Sequence, residues 1–253
     1  MLLAIDIGNT TISIGIIKLR RVVSIEQIQT TSKSEVLRKN LRQKLFSLVK
    51  RYPFERAIIC SVVPKAVRLV RTILVKELKL PTRQIGLDLC VPIKNLYRNP
   101  RQVGQDRLVC AYAAREFYGS PLIVIDFGTA ITFDVVSKKG EYSGGIIVPG
   151  IRLTAEALFN KTALLPKVTI KIPRELIGRD TKNSILSGIF FGYGALCNGL
   201  IDLIARQMKT HPRVILTGGY GHLMRKFISR PITRLDNELI FRGIELIDRN
   251  DRF

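Results

Sequence analysis

The chain contains no tryptophan, and its 7 tyrosines and 11 phenylalanines are spread thinly over 253 residues. Stacking platforms for nucleic-acid bases, which rely on aromatic side chains, are therefore poorly supplied. The 4 cysteines, Cys60, Cys90, Cys110 and Cys197, form no C-x-x-C pair, and only His211 and His222 could join them. That scarcity argues against a Cys/His zinc site and fits reduced thiols in a cytoplasmic protein. No G-x-x-x-x-G-K-[ST] occurs, which argues against a P-loop enzyme, and a Rossmann fingerprint is also missing. Acidic residues are scarce as well: 20 Asp and Glu stand against 41 Lys and Arg, a formal net charge of +21. Such a field attracts nucleotides, acidic metabolites and nucleic acids alike. It bears on encounter, not on reaction type.

What is present is apolar and patterned. A hydrophobic content of 46% over this length supports one large domain or two small ones. Asp6 interrupts the apolar start and no basic stretch precedes it, so no secretory leader is expected. "NSILSGIFFGYGALCNGLI" (183–201) carries no charge and is nearly long enough to span a bilayer. Its asparagines, serines and glycines, with charges close on either side, predict a core helix and no membrane partner. The basic run "EVLRKNLRQKLFSLVKR" (35–51) places Leu37, Leu41, Leu45 and Leu48 on one stripe, which predicts a helix with a solvated basic face.

The opening "LLAIDIGNTT" (2–11) reads as a strand, a carboxylate at its end, then a tight turn into a second strand. Gly8 lets backbone approach closely, and Asn9, Thr10 and Thr11 offer donors, which suits a bound phosphate. An ordinary Asn-containing hairpin turn accounts for the same residues. "LIVIDFGTAITFDVV" (122–136) repeats the layout, with Asp126 and Gly128 matching Asp6 and Gly8. After the first copy the patterns predict a strand near 21–29, the helix at 35–51, a strand at 56–62, a helix from Lys65 to Lys79 and a strand at 84–91. After the second come "YSGGIIVPG", helices near 151–162 and 183–208, a strand at 213–217 and C-terminal helices. The expected class is α/β in two related halves, residues 1–107 and 108–253.

Two D-x-G-[NT] turns on duplicated halves, followed by "VILTGGYG" (214–221), resemble the actin, Hsp70 and sugar-kinase superfamily. That likeness implies two actin-like (ribonuclease H-like) halves, each a mixed sheet with helices, and an ATP cleft between them. Gly218 and Gly219 would lie against the adenosine. Between the repeats, "NLYRNPRQVGQDRLVCAYAA" (95–114) breaks at Pro100 and Gly104 and then opens a helix at Asp106-Arg107. Asp106 so placed also serves as a helix cap that complements the dipole.

The succession D-x-G-N-T, Y-x-x-P-x-x-x-G-x-D-R, D-x-G-T-A and G-G-x-I-x-P-G closely resembles type III pantothenate kinase, from Leu2 to at least Gly221. The resemblance implies phosphorylation of pantothenate by ATP with Mg2+, in a cytoplasmic homodimer. It makes Asp106 the general base toward the pantothenate hydroxyl. It places Tyr97 and Gly104, Gln105, Asp106 and Arg107 at the pantothenate surface, Arg107 meeting the carboxylate. Thr181 would contact pantothenate from the partner subunit, although a helix N-cap explains the same residue. Asp6, Ile7, Gly8, Asn9, Thr10, Thr11, Ile12, Ser13 and Thr129 match nucleotide-phosphate positions. Asp126 matches an acid associated with a monovalent cation, potassium or ammonium, or else a magnesium-side carboxylate. Gln105 departs from the small or apolar residue usual there, and the charge of +21 is unusual for such an enzyme. Two other readings stand beside this one: another small actin-fold metabolite kinase, and a basic nucleic-acid-associated regulator. Scattered basic residues without interleaved aromatics predict no sequence-specific nucleic-acid partner.

Overall fold

The computed structural model describes residues 1–30 and 34–251. The chain folds as two compact units, residues 1–116 with 238–253, and residues 117–237.

In the first unit, β1 (Leu2–Ile7) and β2 (Thr11–Lys18) form a hairpin continued by β3 (Arg21–Gln29). β4 (Arg56–Ser61) and the short β5 (Thr82–Gln84) add in parallel on the other side of β1, giving the order β3-β2-β1-β4-β5. Strand periodicity then sorts the side chains. Leu3, Ile5 and Ile7 join one core with α1 (Ser34–Arg51) and α2 (Pro64–Arg71), and Leu37, Leu41, Leu45 and Leu48 supply the helical stripe. The opposite face takes α3 (Gln105–Tyr118) and the last helix, α7 (Leu239–Asn250). Phe241 of α7 lies on Gly15 of β2, while Gly243 admits Val109 of α3 so closely that a β-carbon would sit 2.6 Å from Val109 Cγ1. Arg56 of β4 donates twice to Asp248 of α7, at 2.9 and 2.6 Å. The C-terminal helix is thus bonded into the first unit, and the sequence boundary at 107/108 falls inside α3.

The second unit repeats the plan with β6 (Leu122–Phe127), β7 (Ala130–Val136), β8 (Tyr142–Pro149), β9 (Arg213–Thr217) and β10 (Arg234–Leu235), in the order β10-β9-β6-β7-β8. Even the irregularity recurs: the β2–β3 ladder shifts register at Ile16/Ile17, and β7–β8 shifts at Val135/Val136. Ile17 pairs with Leu2 and Val136 with Leu122, so the two shifts occupy equivalent places. Ile123, Ile125 and Phe127 pack with α4 (Ile151–Lys161) and α5 (Thr181–Met208), and α6 (Gly221–Met224) follows β9. This is the duplicated α/β architecture expected from the repeat.

Some local expectations are corrected. The strand expected at 84–91 stops at Gln84, apart from a lone bridge between Ile85 and Leu89. Gly86 at φ +87° and the Asp88 side chain, which accepts from the Gln84 N–H at 2.8 Å, turn the chain instead. The helix expected from Lys65 to Lys79 widens into a π turn over Thr72–Glu77. The cap of α5 is Asp180, which accepts from the Asn183 N–H at 2.9 Å, so Thr181 is the first helical residue and not the cap. α5 is long and apolar enough to cross a membrane, yet Ile185, Leu186, Ile189, Phe190 and Cys197 are buried inside the second unit, as in a core helix.

Candidate active site

At the carboxyl end of β1 the chain must reverse within the residues 8–10. The Gly8 N–H donates to the Thr11 carbonyl at 3.0 Å, and a β-carbon on Gly8 would crowd that oxygen at 3.2 Å. Thr30 braces the turn, its N–H donating to the Thr10 carbonyl at 2.8 Å and its hydroxyl to the Gly8 carbonyl at 3.3 Å. Asn9 is left exposed, with Thr10, Thr11 and Ser13 half-buried around it, while Ile7 and Ile12 point into the core. Asp6 pairs with Ser13 on one side and Cys60 on the other. Next to it, the Ser61 hydroxyl donates to the Ile7 carbonyl at 3.2 Å and accepts from the Val63 N–H at 2.9 Å.

The G-x-D-R segment meets the same end of the same sheet. A β-carbon on Gly104 would lie 3.2 Å from Val62 Cγ1, just past β4, and 2.5 Å from Asp106 Oδ1. Only glycine lets the Asp106 carboxylate fold back over the chain in this way. Asp106 Oδ1 accepts from the Arg107 N–H at 2.8 Å, at the positive end of α3. Burial nevertheless dominates and raises the carboxyl pKa above its ordinary value, against the Arg107 N–H and guanidinium, which lower it. Burial, then the charges of Asp6 and Asp106, push the Cys60 thiol well up. Both carboxylates therefore bear on one buried thiol. Tyr97 is half-buried in the preceding loop, its N–H donating to Asn95 Oδ1 at 3.0 Å. Gln105 lays its side chain along Gly86.

The second unit builds a matching turn. Exposure repeats position by position: Leu122–Ile125 and Phe127 are buried, Asp126 and Gly128 half-buried and Thr129 exposed, as in Leu2–Asn9. The Gly128 N–H donates to the Ala130 carbonyl at 3.1 Å and the Gly150 N–H to the Thr129 carbonyl at 3.1 Å. Gly150 and Gly218 both press on this turn. A β-carbon on Gly150 would lie 2.6 Å from the Gly128 carbonyl, and one on Gly218 would collide with Asp126 Oδ1 and lie 2.6 Å from the Phe127 nitrogen. Gly218 holds φ +85°, which side chains rarely tolerate. Gly219 beside it opens on free space. So Asp126, Gly128, Thr129, Gly150 and Gly218 form one cluster. Thr181 stands outside it, exposed at the start of α5.

The roles of Cys60, Ser61 and Gly150 escaped sequence reasoning, although "GGIIVPG" had marked Gly150. Their signal lies in strand pairing and close packing, which a linear pattern does not carry. Among the described residues no group of three or more His, Cys, Asp or Glu side chains gathers as a metal cage.

The type III pantothenate kinase family profile matches residues 2–203. The chain is 44% identical to the type III pantothenate kinase of Persephonella marina, over 89% of this chain and 90% of that one. In fold it is similar to a protein named as a Baf family transcriptional activator from Campylobacter jejuni, at TM-score 0.61 and 18% identity, covering 99% and 98% of the two chains. It is also similar in fold to a ROK family glucokinase from Streptomyces griseus, at TM-score 0.51 and 13% identity, covering 98% and 99%. Those two likenesses show the actin-like sugar-kinase fold. With the D-x-G turns, the Gly104–Arg107 segment and the full-length match in hand, the chain belongs to the type III pantothenate kinase family, which phosphorylates pantothenate in coenzyme A biosynthesis.

Proposed function

We propose that Asp106 is the base of this reaction and that the two D-x-G turns receive the nucleotide phosphates. The supporting observation is the Asp106 carboxylate itself, folded over Gly104 and partly desolvated at the sheet end that also carries Asp6. A carboxylate with a raised pKa is a better proton acceptor than a solvated one. Asp106 takes the proton of the pantothenate hydroxyl as that oxygen bonds to the γ-phosphorus and the bond to the leaving ADP oxygen breaks. Phosphoryl transfer asks mainly for positioning and charge stabilisation. The Asp6–Ser13 turn and Thr129 supply short donors and exposed backbone, and Gly218 and Gly219 give the adenosine a flat approach. Tyr97 and the Gly104–Arg107 segment form the pantothenate surface, Gln105 through its backbone because its side chain lies on Gly86, and Arg107 meets the carboxylate. Mg2+ bound with ATP neutralises phosphate charge.

We infer a monovalent cation at Asp126. Its Oδ1 lies against Gly128 and Gly218, and a carboxylate oxygen coordinates potassium or accepts hydrogen bonds from ammonium.

The enzyme works as a homodimer in which Thr181 serves the neighbouring site. Its place at an exposed helix start, free of the capping duty that Asp180 performs, supports this reading. Mixing Thr181→Ala with Asp106→Asn protein tests it. Each variant alone is nearly inactive, while mixed dimers hold one intact site and restore about a quarter of wild-type turnover at equal mixing. Failure of the mixture to recover any activity, with exchange of subunits demonstrated, places Thr181 in its own subunit's site, and full turnover of Thr181→Ala alone removes it from either site.

A further inference from the structure

Gln105 immediately precedes Asp106 and begins α3. Its side chain does not stand free: a β-carbon on Gly86 would lie 2.8 Å from Gln105 Cδ, 2.9 Å from Cγ and 3.2 Å from Nε2. Gln105 therefore lies flat on a glycine α-carbon. Gly86 is a rigid anchor. Its N–H donates to the Leu89 carbonyl at 2.7 Å, and the Asp88 and Leu89 N–H groups donate to the Gln84 carbonyl at 2.8 and 3.1 Å. The loop is tied to β4 by the Ile85 N–H, which donates to the Ile59 carbonyl at 2.9 Å, one residue before Cys60. Ile85 and Leu89 are buried beneath it. Arg83 clamps the far side, donating to the Asp88 carbonyl at 2.9 Å.

We infer that Gln105 is a positioning residue that wedges the first turn of α3 against the Gly86 loop and thereby holds Asp106 in its folded-back pose. The first turn of a helix lacks intrahelical acceptors for its N–H groups and frays readily, so an outside support there acts directly on the next residue. Gly86 is required because any β-carbon at φ +87° would strain the loop and displace the wedge. A misplacement of the base by a fraction of an ångström lowers turnover without weakening nucleotide binding.

The inference rests on Asp106 being the base, and a double-mutant cycle separates the two claims. Gln105→Ala is expected to lower kcat about tenfold, with the KM for ATP and the Tm unchanged. Gln105→Met, which keeps a long side chain over Gly86, recovers most of the loss. In an Asp106→Asn background Gln105→Ala has no further effect on kcat, because the wedge acts only through the base. Wild-type kcat in Gln105→Ala beside an inactive Asp106→Asn overturns the wedge alone. Losses that multiply in the double variant overturn it as well. Full turnover in Asp106→Asn removes the base assignment and the wedge with it.

Discussion

Asp6 pairs with Cys60 across the parallel β1–β4 ladder, so a carboxylate and a fully buried thiol leave the sheet side by side. The thiol is held protonated by burial and by the charges of Asp6 and Asp106. Cys197 is likewise buried, its thiol pushed up to about 12, whereas Cys90 is exposed. Thiolate, not thiol, is the reactive form. Labelling of the native protein with a thiol reagent at neutral pH should therefore modify Cys90 alone. Rapid modification of Cys60 in folded protein would show that the sheet end is open to solvent in a way the packing does not allow.

Asp106→Asn keeps the shape and the Arg107 N–H bond but cannot accept a proton. Turnover should fall by about 10²- to 10⁴-fold, the usual contribution of a general base. The pKa of Asp106 is raised in the fold, so the wild-type enzyme loses kcat/KM as pH falls through a value above the usual carboxylate figure of about 3.9. The stability effect has the opposite direction. Between the unfolded and the raised folded pKa the native state holds the proton that the unfolded chain has lost, so stability declines as pH rises through that window. Asp106→Asn should then melt at the same temperature as wild type or higher at neutral pH. A lower Tm with turnover intact would assign Asp106 to capping instead.

Potassium and sodium at equal ionic strength separate a site-bound cation from charge screening, which a protein of charge +21 will also feel. With Mg2+ saturating, the rate should be lower in sodium. Asp126→Ala should abolish the difference together with most of the activity. Equal rates in the two salts would give Asp126 another role.

The Arg56–Asp248 pair bonds α7 to β4, with the Asp248 side chain 8% exposed and that of Arg56 24%. Removing one partner strands the other charge. Asp248→Ala should destabilise the first unit by about 2–4 kcal/mol, less than a fully enclosed pair because water still reaches Arg56. Denaturant unfolding should show a lower midpoint, and Asp248→Asn should recover part of it. An unchanged midpoint would mean that α7 is held by Phe241 and Gly243 packing alone.

Much of this was legible in the linear chain because it depends on neighbours in sequence. The leucine stripe of α1 follows from helical periodicity, and the two β-hairpins follow from apolar runs that end in D-x-G. Repetition of that pattern at Asp6 and Asp126 announced two related halves, and the motif order carried the family. Turns and strands of this kind are decided by φ, ψ and side-chain chemistry within a few residues.

The tertiary structure alone decided what depends on approach between distant segments. No local pattern says that α7 returns to the first unit, because that rests on Gly15 receiving Phe241 and on Arg56 reaching Asp248. The run from Gln84 to Val91 reads as a strand until the Gly86 conformation and the Asp88 side-chain bond turn it. The clustering of Asp6, Cys60 and Asp106, and the seating of Gln105 on Gly86, arise only when β1, β4, the loop after β5 and α3 converge at one sheet end. Sequence determined which residues could do the chemistry; long-range packing, where the absence of a single β-carbon permits contact, determined where their atoms meet.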